Sequence, residues 1–442
     1  MNKNEQFIGE CLNYTFEGLG VVKVDGFPVF VKDMIVGEVG EIVVTLVKKS
    51  FAYGRLLNLH KTSLERVEAS CPLFKKCGGC QIQHMSKGEQ RRFKHERVVE
   101  VLQRVGKLNV NVEDVLSMED ETHYRNKGQV PVGIVNGKVV AGFYRTNTND
   151  IVDMESCLIQ HDVINKIVLK MKRMISLHRI GDYFRHVLVK VGFNSNEIMV
   201  VWIVKSKKIP HTDDLIKGLV KDFPMIKSII LNLNQRDDNV ILGEDEVVLY
   251  GNKSIQDTLC ELKFDVSSKS FYQVNPIQTK VLYEKALEFA QLTGNETVVD
   301  LYCGIGTISL LMAKKAKQVI GIEIVPEAIE DAKRNARLNQ ISNVVFECAD
   351  AGEYASKCAA SSMVVDVVCV DPPRKGCDQA TLDAILLMKP KRIVYVSCDP
   401  STLARDLRIL ENAEYSVEKV QPVDMFPYTY HIESIVRLSR KK

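Results

Sequence analysis

From about residue 266 onward, short runs of β-branched residues alternate with helical patterns, and this alternation constrains the fold more than any other feature. A helical stretch from about Pro276 to Ala290 precedes the run Val298-Val299-Asp300-Leu301, which passes through Tyr302-Cys303-Gly304-Ile305-Gly306 into an apolar helix. A strand from Val319 to Ile324 follows, ending near Glu323, and Pro326 opens the next helix. Another strand ends near Asp350, and Val364 to Val370 runs into Asp371-Pro372-Pro373. Ile393 to Val396 then form a buried strand, after which Asp399 suits an N-cap, Pro400 a first helical position, and Leu403, Leu407 and Leu410 recur at helical spacing. Strands separated by helices pair in parallel and open their ligand crevice at the C-terminal ends. Tyr415 to Leu438 read as two further strands that close the sheet edge.

Several chemistry-bearing residues fall at those strand ends. Cys398 lies between a strand and the Asp399 cap, where the positive end of a helix dipole favours thiolate; the alternative is a small core cysteine. The glycine loop lacks the third glycine of a dinucleotide loop, since Ser309 stands there, and no lysine follows it to reach a phosphate. Glu323 lies 19 residues after Gly304, where a carboxylate accepts hydrogen bonds from ribose hydroxyls. Asp300, Gly304, Gly306, Glu323, Asp350 and Asp371 together suit S-adenosylmethionine in a class I (Rossmann-like) methyltransferase domain, expected over residues 266–442.

The N-terminal half reads differently. Up to about residue 62, glycine-broken strands predict a small β-barrel of the OB type. Lys48, Lys49, Phe51, Tyr53 and Arg55 interleave charge with aromatics, as single-stranded nucleic acid requires. Residues 63–265 read as a mixed α/β middle domain that opens with Cys71, Cys77 and Cys80. Three cysteines within ten residues, with glycines between two of them, form a metal-ligand pattern. Cys157 is the candidate fourth ligand, with Cys11 and Cys260 as the other possibilities, and spacing does not separate zinc from an iron–sulfur cluster. Lys87 to Val105 predict a charged helix offering Lys87, Arg91, Arg92, Lys94 and Arg97 to solvent or phosphate.

Net charge is only +3, so a nucleic-acid partner must be met by local basic patches. No apolar run approaches the ~18 residues that span a bilayer, and the first residues lack a signal-peptide pattern, so a cytoplasmic protein without membrane contact is expected. In that compartment the twelve cysteines read as ligands, nucleophiles or core residues rather than disulfides.

Phe271-Tyr-Gln-Val-Asn-Pro276, Asp300 to Gly306, Asp371-Pro-Pro-Arg-Lys-Gly376, Ser397-Cys-Asp-Pro400 and His431-Ile-Glu433 resemble the RNA (uracil-5-)-methyltransferase family. The barrel, similar to a TRAM domain, and the cysteine trio point to its 23S ribosomal RNA branch. The resemblance implies a monomer that methylates carbon 5 of uridine in 23S ribosomal RNA from S-adenosylmethionine, through a covalent cysteine–uracil intermediate. It implies Cys398 as nucleophile, Glu433 as the base that removes the carbon 5 proton, and a 4Fe-4S cluster on Cys71, Cys77, Cys80 and Cys157. Gln273, Tyr302, Glu323 and Asp371 match the family's cofactor contacts by position, while Thr307 and Asp350 depart from a pattern that often has an amide side chain.

The chemistry agrees with these assignments. Carbon 5 of uracil becomes nucleophilic enough only after a thiolate adds at carbon 6, and the base must be flipped out of its stack to reach the pocket. Arg125 and Lys127 are candidates to grip the surrounding RNA. Two alternatives are the same chemistry on transfer RNA, whose branch generally lacks barrel and cysteine cluster, and a catalytically silent, metal-bearing RNA-binding or assembly factor. The intact Cys398, Glu433 and glycine loop argue against the latter.

Overall fold

The computed structural model describes residues 1–361 and 363–441. Five strands between Gln6 and Lys61 close into a barrel in the order first, second, third, fifth, fourth. Their alternating residues Val22, Val29, Val31, Ile42 and Val44 point inward with Cys11 and fill a core of their own. Glu38, fully buried, anchors this barrel to the next segment through Arg66 at 2.6 Å.

The middle domain is a seven-stranded sheet. Across it run Glu246–Gly251, Ile226–Leu233, Ile198–Val204, Phe184–Val191, Lys127–Val135, Lys138–Tyr144 and Ile151–Asp153. Every residue of Ile198–Val204 is buried, because both faces of the sheet are covered. Helices Asp162–Leu177 and Thr212–Asp222 cover one face, and Leu188, Met199, Val201 and Ile203 on the other share a core with the C-terminal domain.

The C-terminal sheet has seven strands, numbered here β1 (Thr297–Leu301), β2 (Gln318–Glu323), β3 (Val344–Cys348), β4 (Val367–Val370), β5 (Arg392–Ser397), β6 (Tyr415–Val423) and β7 (Glu433–Arg440). Their order is β3-β2-β1-β4-β5-β7-β6, with β1 to β5 parallel and β7 antiparallel to both its neighbours. The α/β class with barrel, mixed middle domain and doubly wound C-terminal domain follows. The chain runs β1-β2-β3 one way and then returns to β4, so a crevice opens at the C-terminal ends of β1 and β4. Among the described residues no helix is long and apolar enough to cross a membrane.

One expectation fails. The helix Lys87–Val101 exposes Lys87, Arg91 and Arg92, but Lys94 is completely buried and Arg97 nearly so. Lys94 Nζ donates to Asp424 Oδ1 at 2.6 Å and to the Phe426 carbonyl at 3.1 Å. Arg97 donates to the Tyr430 carbonyl, and its guanidinium lies 5.6 Å from the Tyr430 ring and 5.7 Å from that of Phe16. These cations share the helix face of Phe93, and their partners lie some 330 residues away, beyond any local charge pattern. Removing one member of a buried ion pair strands the other's charge. Lys94→Met should therefore cost about 3–5 kcal/mol in urea denaturation, and Asp424→Leu added to it should recover most of that loss.

Candidate active site and cysteine cavity

At the C-terminal ends of β1, β2, β4 and β5 lies a cavity of about 590 Å³. Gln273, Tyr302, Thr307, Glu323, Asp350, Asp371, Cys398 and Glu433 all line it. Gly306 turns the chain from β1 into the next helix at a φ of +84°, and a Cβ there would meet the Phe346 ring at 2.8 Å. The Gly304 amide donates to Glu323 Oε2 at 3.2 Å, and the Val325 amide to Oε1 at 3.0 Å, which fixes that carboxylate at the tip of β2. Asp350 caps the helix Ala351–Ala360 by accepting from the Gly352 amide at 2.9 Å. Tyr283 and Tyr302 bridge hydroxyls, to Thr307 at 3.1 Å and to Thr381 at 3.2 Å. Gln273 is held through its backbone, whose carbonyl accepts from Asn126 Nδ2 at 3.1 Å.

Six carboxylates, Asp300, Glu323, Asp350, Asp371, Asp378 and Glu433, line this cavity against two cations, Arg374 and Lys375. Burial raises Asp300, hydrogen-bonded to Ser309, to about 7, with Asp371 and Glu323 adding repulsion. Enclosure by protein lifts Asp371 to about 7 as well. Glu433, buried and repelled by Asp371, is raised to about 8, with Arg374 the opposing charge. A cavity of this kind stabilises a ligand that carries positive charge.

In the ligand-free site burial, then Glu433 and Asp371, push the Cys398 thiol up to about 12. The helix end beside it is already answered, because Asp399 Oδ1 accepts from the Ser401 and Thr402 amides at 2.8 and 3.2 Å. Arg374 is the cation that opposes the raised value. Sequence reasoning placed Arg374 in a motif without a role, and it left Phe271, Phe426 and the side chain of His431 unassigned, although all four line the cavity. The period of the motifs was the available signal for Arg374; nothing local marks Phe426.

A second cavity, of about 220 Å³, is lined by Cys71, Cys77, Cys80 and Cys157. Asn165 fixes the Cys157 turn by exchanging two 3.0 Å hydrogen bonds with its backbone, and the Gly79 amide donates to Cys77 Sγ at 3.4 Å. Cys11 sits in the barrel core and Cys260 in a hairpin turn before Leu262–Ser267, so neither reaches this cavity. Among the described residues no three of the four sulfurs lie within 4.8 Å of one another. A single tetrahedral zinc would draw them to about 3.8 Å.

The two cavities are linked through one segment of the chain. Gln81 and Ile82, next to Cys80, donate their amides to the Tyr428 carbonyl at 2.9 and 3.1 Å. Tyr428 belongs to the segment that leads from Phe426 to His431 and Glu433 in the first cavity.

Comparison with known proteins places this architecture. The profile of a family described as tRNA (Uracil-5-)-methyltransferase matches residues 88–441. An uncharacterized RNA methyltransferase of Halalkalibacterium halodurans is 49% identical over 100% of this chain and 98% of its own. One of Bacillus cereus is likewise 49% identical, over 100% and 98%. Among solved structures, the Pyrococcus abyssi tRNA (uracil-54, C5)-methyltransferase in complex with S-adenosyl-L-homocysteine is similar at a TM-score of 0.78 and 27% identity, covering 98% of this chain and 99% of that one.

The raised carboxylates set a pH dependence. Glu433 binds its proton up to about pH 8 when folded, whereas an unfolded glutamate releases it near pH 4.3. Unfolding between those values releases protons, so its contribution to stability is intact below about pH 4 and is lost as pH rises through 8. Glu433→Gln removes that loss. In denaturant titrations without ligand it should match the parent at pH 4 and exceed it increasingly up to pH 8, by at most ~1.4 kcal/mol per pH unit.

Proposed function

The chain belongs to the tRNA (uracil-5-)-methyltransferase family, and we propose that it methylates carbon 5 of uridine in 23S ribosomal RNA. The observation that carries this reading is the meeting of Cys398, Glu433 and the glycine-loop carboxylates in one cavity. Carboxylates held near neutrality by burial suit the sulfonium of S-adenosylmethionine, which supplies the methyl group.

In this reading Cys398 gives up its proton to solvent and its thiolate adds to carbon 6 of the flipped uracil, so that the carbon 5–carbon 6 π pair moves onto the ring carbonyl and the ring becomes an enolate nucleophilic at carbon 5. Arg374 opposes the negative charge on sulfur and ring, because its charge bears on Cys398, Glu433 and His431 alike. After methyl transfer Glu433 takes the carbon 5 proton, and the cysteine is eliminated. A carboxylate titrating near 8 is a far stronger base than an ordinary glutamate and is matched to that step. Before it can act it must be ionised, which a bound sulfonium favours.

The four-cysteine cavity supports the ribosomal branch, and we read it as the site of a 4Fe-4S cluster on Cys71, Cys77, Cys80 and Cys157. A second reading, methylation of transfer RNA, is favoured by the Pyrococcus abyssi enzyme. That protein shares this architecture over nearly its whole length, so a barrel does not separate the two substrates.

Labelled-methyl transfer decides between them: incorporation into 23S ribosomal RNA from a strain lacking the gene is expected, and incorporation confined to transfer RNA would replace the first reading with the second. Cys398→Ala should abolish transfer. Glu433→Gln should slow product release by about 10²–10⁴-fold and accumulate a denaturant-resistant RNA–protein adduct. Protein purified without air should be brown and hold four irons per chain on a four-iron reading; a colourless protein with one zinc would overturn the cluster assignment.

A further inference from the structure

Arg125, Lys127 and Gln129 alternate along one strand and turn their side chains into the four-cysteine cavity, while Asn126 between them faces the other way to hold Gln273. The backbone is pinned on both sides of Arg125: its amide donates to the Ile159 carbonyl at 2.9 Å and its carbonyl accepts from the His161 amide at 3.0 Å. Lys127 pairs in register with Lys190. The cavity is otherwise walled by Phe74, Phe143, Leu158 and Ile159 with the neutral Gly79, Gln83 and Gln160, and among the described residues no aspartate or glutamate lines it. The side-chain charges that bear on Lys127 are those of Arg125 and Lys190, both of like sign. Lys190, buried behind it, donates to the carbonyls of Ser267 and Ser270 at 2.7 and 2.9 Å and has Glu246 and Asp331 as its own opposing charges. Two cations pointed into a largely apolar cavity, with no anion beside them, call for an anionic occupant.

We propose that Arg125 and Lys127 are the counter-charges of an anionic iron–sulfur cluster bound by the four cysteines, holding it in place and raising its reduction potential. This rests on the cluster reading given above. A four-iron cluster on four thiolates carries a net charge of about −2 when oxidised and about −3 once one electron is added, so nearby positive charge favours the reduced form. Both residues act through the cluster and are positioning residues.

The test is an anaerobic redox titration of the full-length, cluster-loaded protein. Electrons pass singly from dithionite through mediator dyes to the cluster, read by visible absorption and electron paramagnetic resonance. At the parent's midpoint, Lys127→Met should raise the ratio of oxidised to reduced cluster about tenfold, equivalent to 59 mV for one electron. Arg125→Met should act in the same direction, and Lys127→Arg should titrate like the parent. A Met variant that emerges without cluster while Lys127→Arg keeps it also supports the proposal, since charge is then what holds the cluster. Loss of cluster from both Lys127 variants, or an unmoved potential in Lys127→Met, overturns it. An unmoved potential with weakened binding of ribosomal RNA assigns the lysine to phosphate instead. Absence of iron and sulfide from the parent itself sinks the cluster reading, a failure distinguishable from the others by elemental analysis alone.

Discussion

The active half of this protein depends on the capture of backbone carbonyls in the segment Asp424 to Tyr430, which has no helix or strand of its own. Donors from distant parts of the chain receive them almost one by one. Gln278 takes the Asp424 carbonyl, Asn275 that of Met425, Lys94 that of Phe426, Tyr124 that of Pro427, Gln81 and Ile82 that of Tyr428, and Arg97 that of Tyr430. An irregular segment can be buried only when its polar groups are answered in this way. The result is a rigid wall that fixes Phe426, His431 and Glu433 without secondary structure, and it ties the cysteine loop to the cavity of Cys398.

The two cavities are electrostatic opposites. One gathers Asp300, Glu323, Asp371 and Glu433 with little positive charge; the other gathers Arg125 and Lys127 with no negative charge beyond what its cysteines provide when ionised. Each arrangement is unfavourable when empty and relieved by a ligand of opposite sign. Asn126 stands between them, its side chain bonded to Gln273 and its neighbours turned toward the sulfurs. The alternation of a single extended strand thus lets one segment serve both sites.

Much of this was legible in the sequence, for physical reasons. Strand ends with glycine, aspartate or proline announce themselves locally, so Gly304, Glu323, Asp371 and Cys398 could be assigned to one crevice, and the structure brings them to one cavity. The cysteine trio was visible through spacing, and the structure brings Cys157 to the same cavity. What stayed hidden depends on partners far along the chain. Lys94 and Arg97 look like solvated charges until the segment 330 residues later packs over them. The helix start beside Cys398 was visible locally, but not the burial and the two distant carboxylates, Glu433 and Asp371, that raise its thiol in the ligand-free site. Local pattern reports where a residue sits on its element; it does not report which charges the fold delivers from elsewhere.

The continuous core beneath the middle sheet has a consequence for how the protein meets RNA. Leu188, Val201 and Ile203 pack in the same cluster as Leu310, Val319 and Val394, so parting the two sheets would expose apolar surface to water. Opening between these two parts is therefore costly, and an RNA meets them as one body. The barrel has a closed core of its own but meets the rest through both polar anchors, Glu38 with Arg66 and Tyr14 with Glu89, and an apolar cluster of Ile35 with Ile82, Met85 and Phe93. Its Phe16 ring lies 6.3 Å from that of Tyr430, next to His431 of the reaction cavity, so a reoriented barrel would disturb that wall.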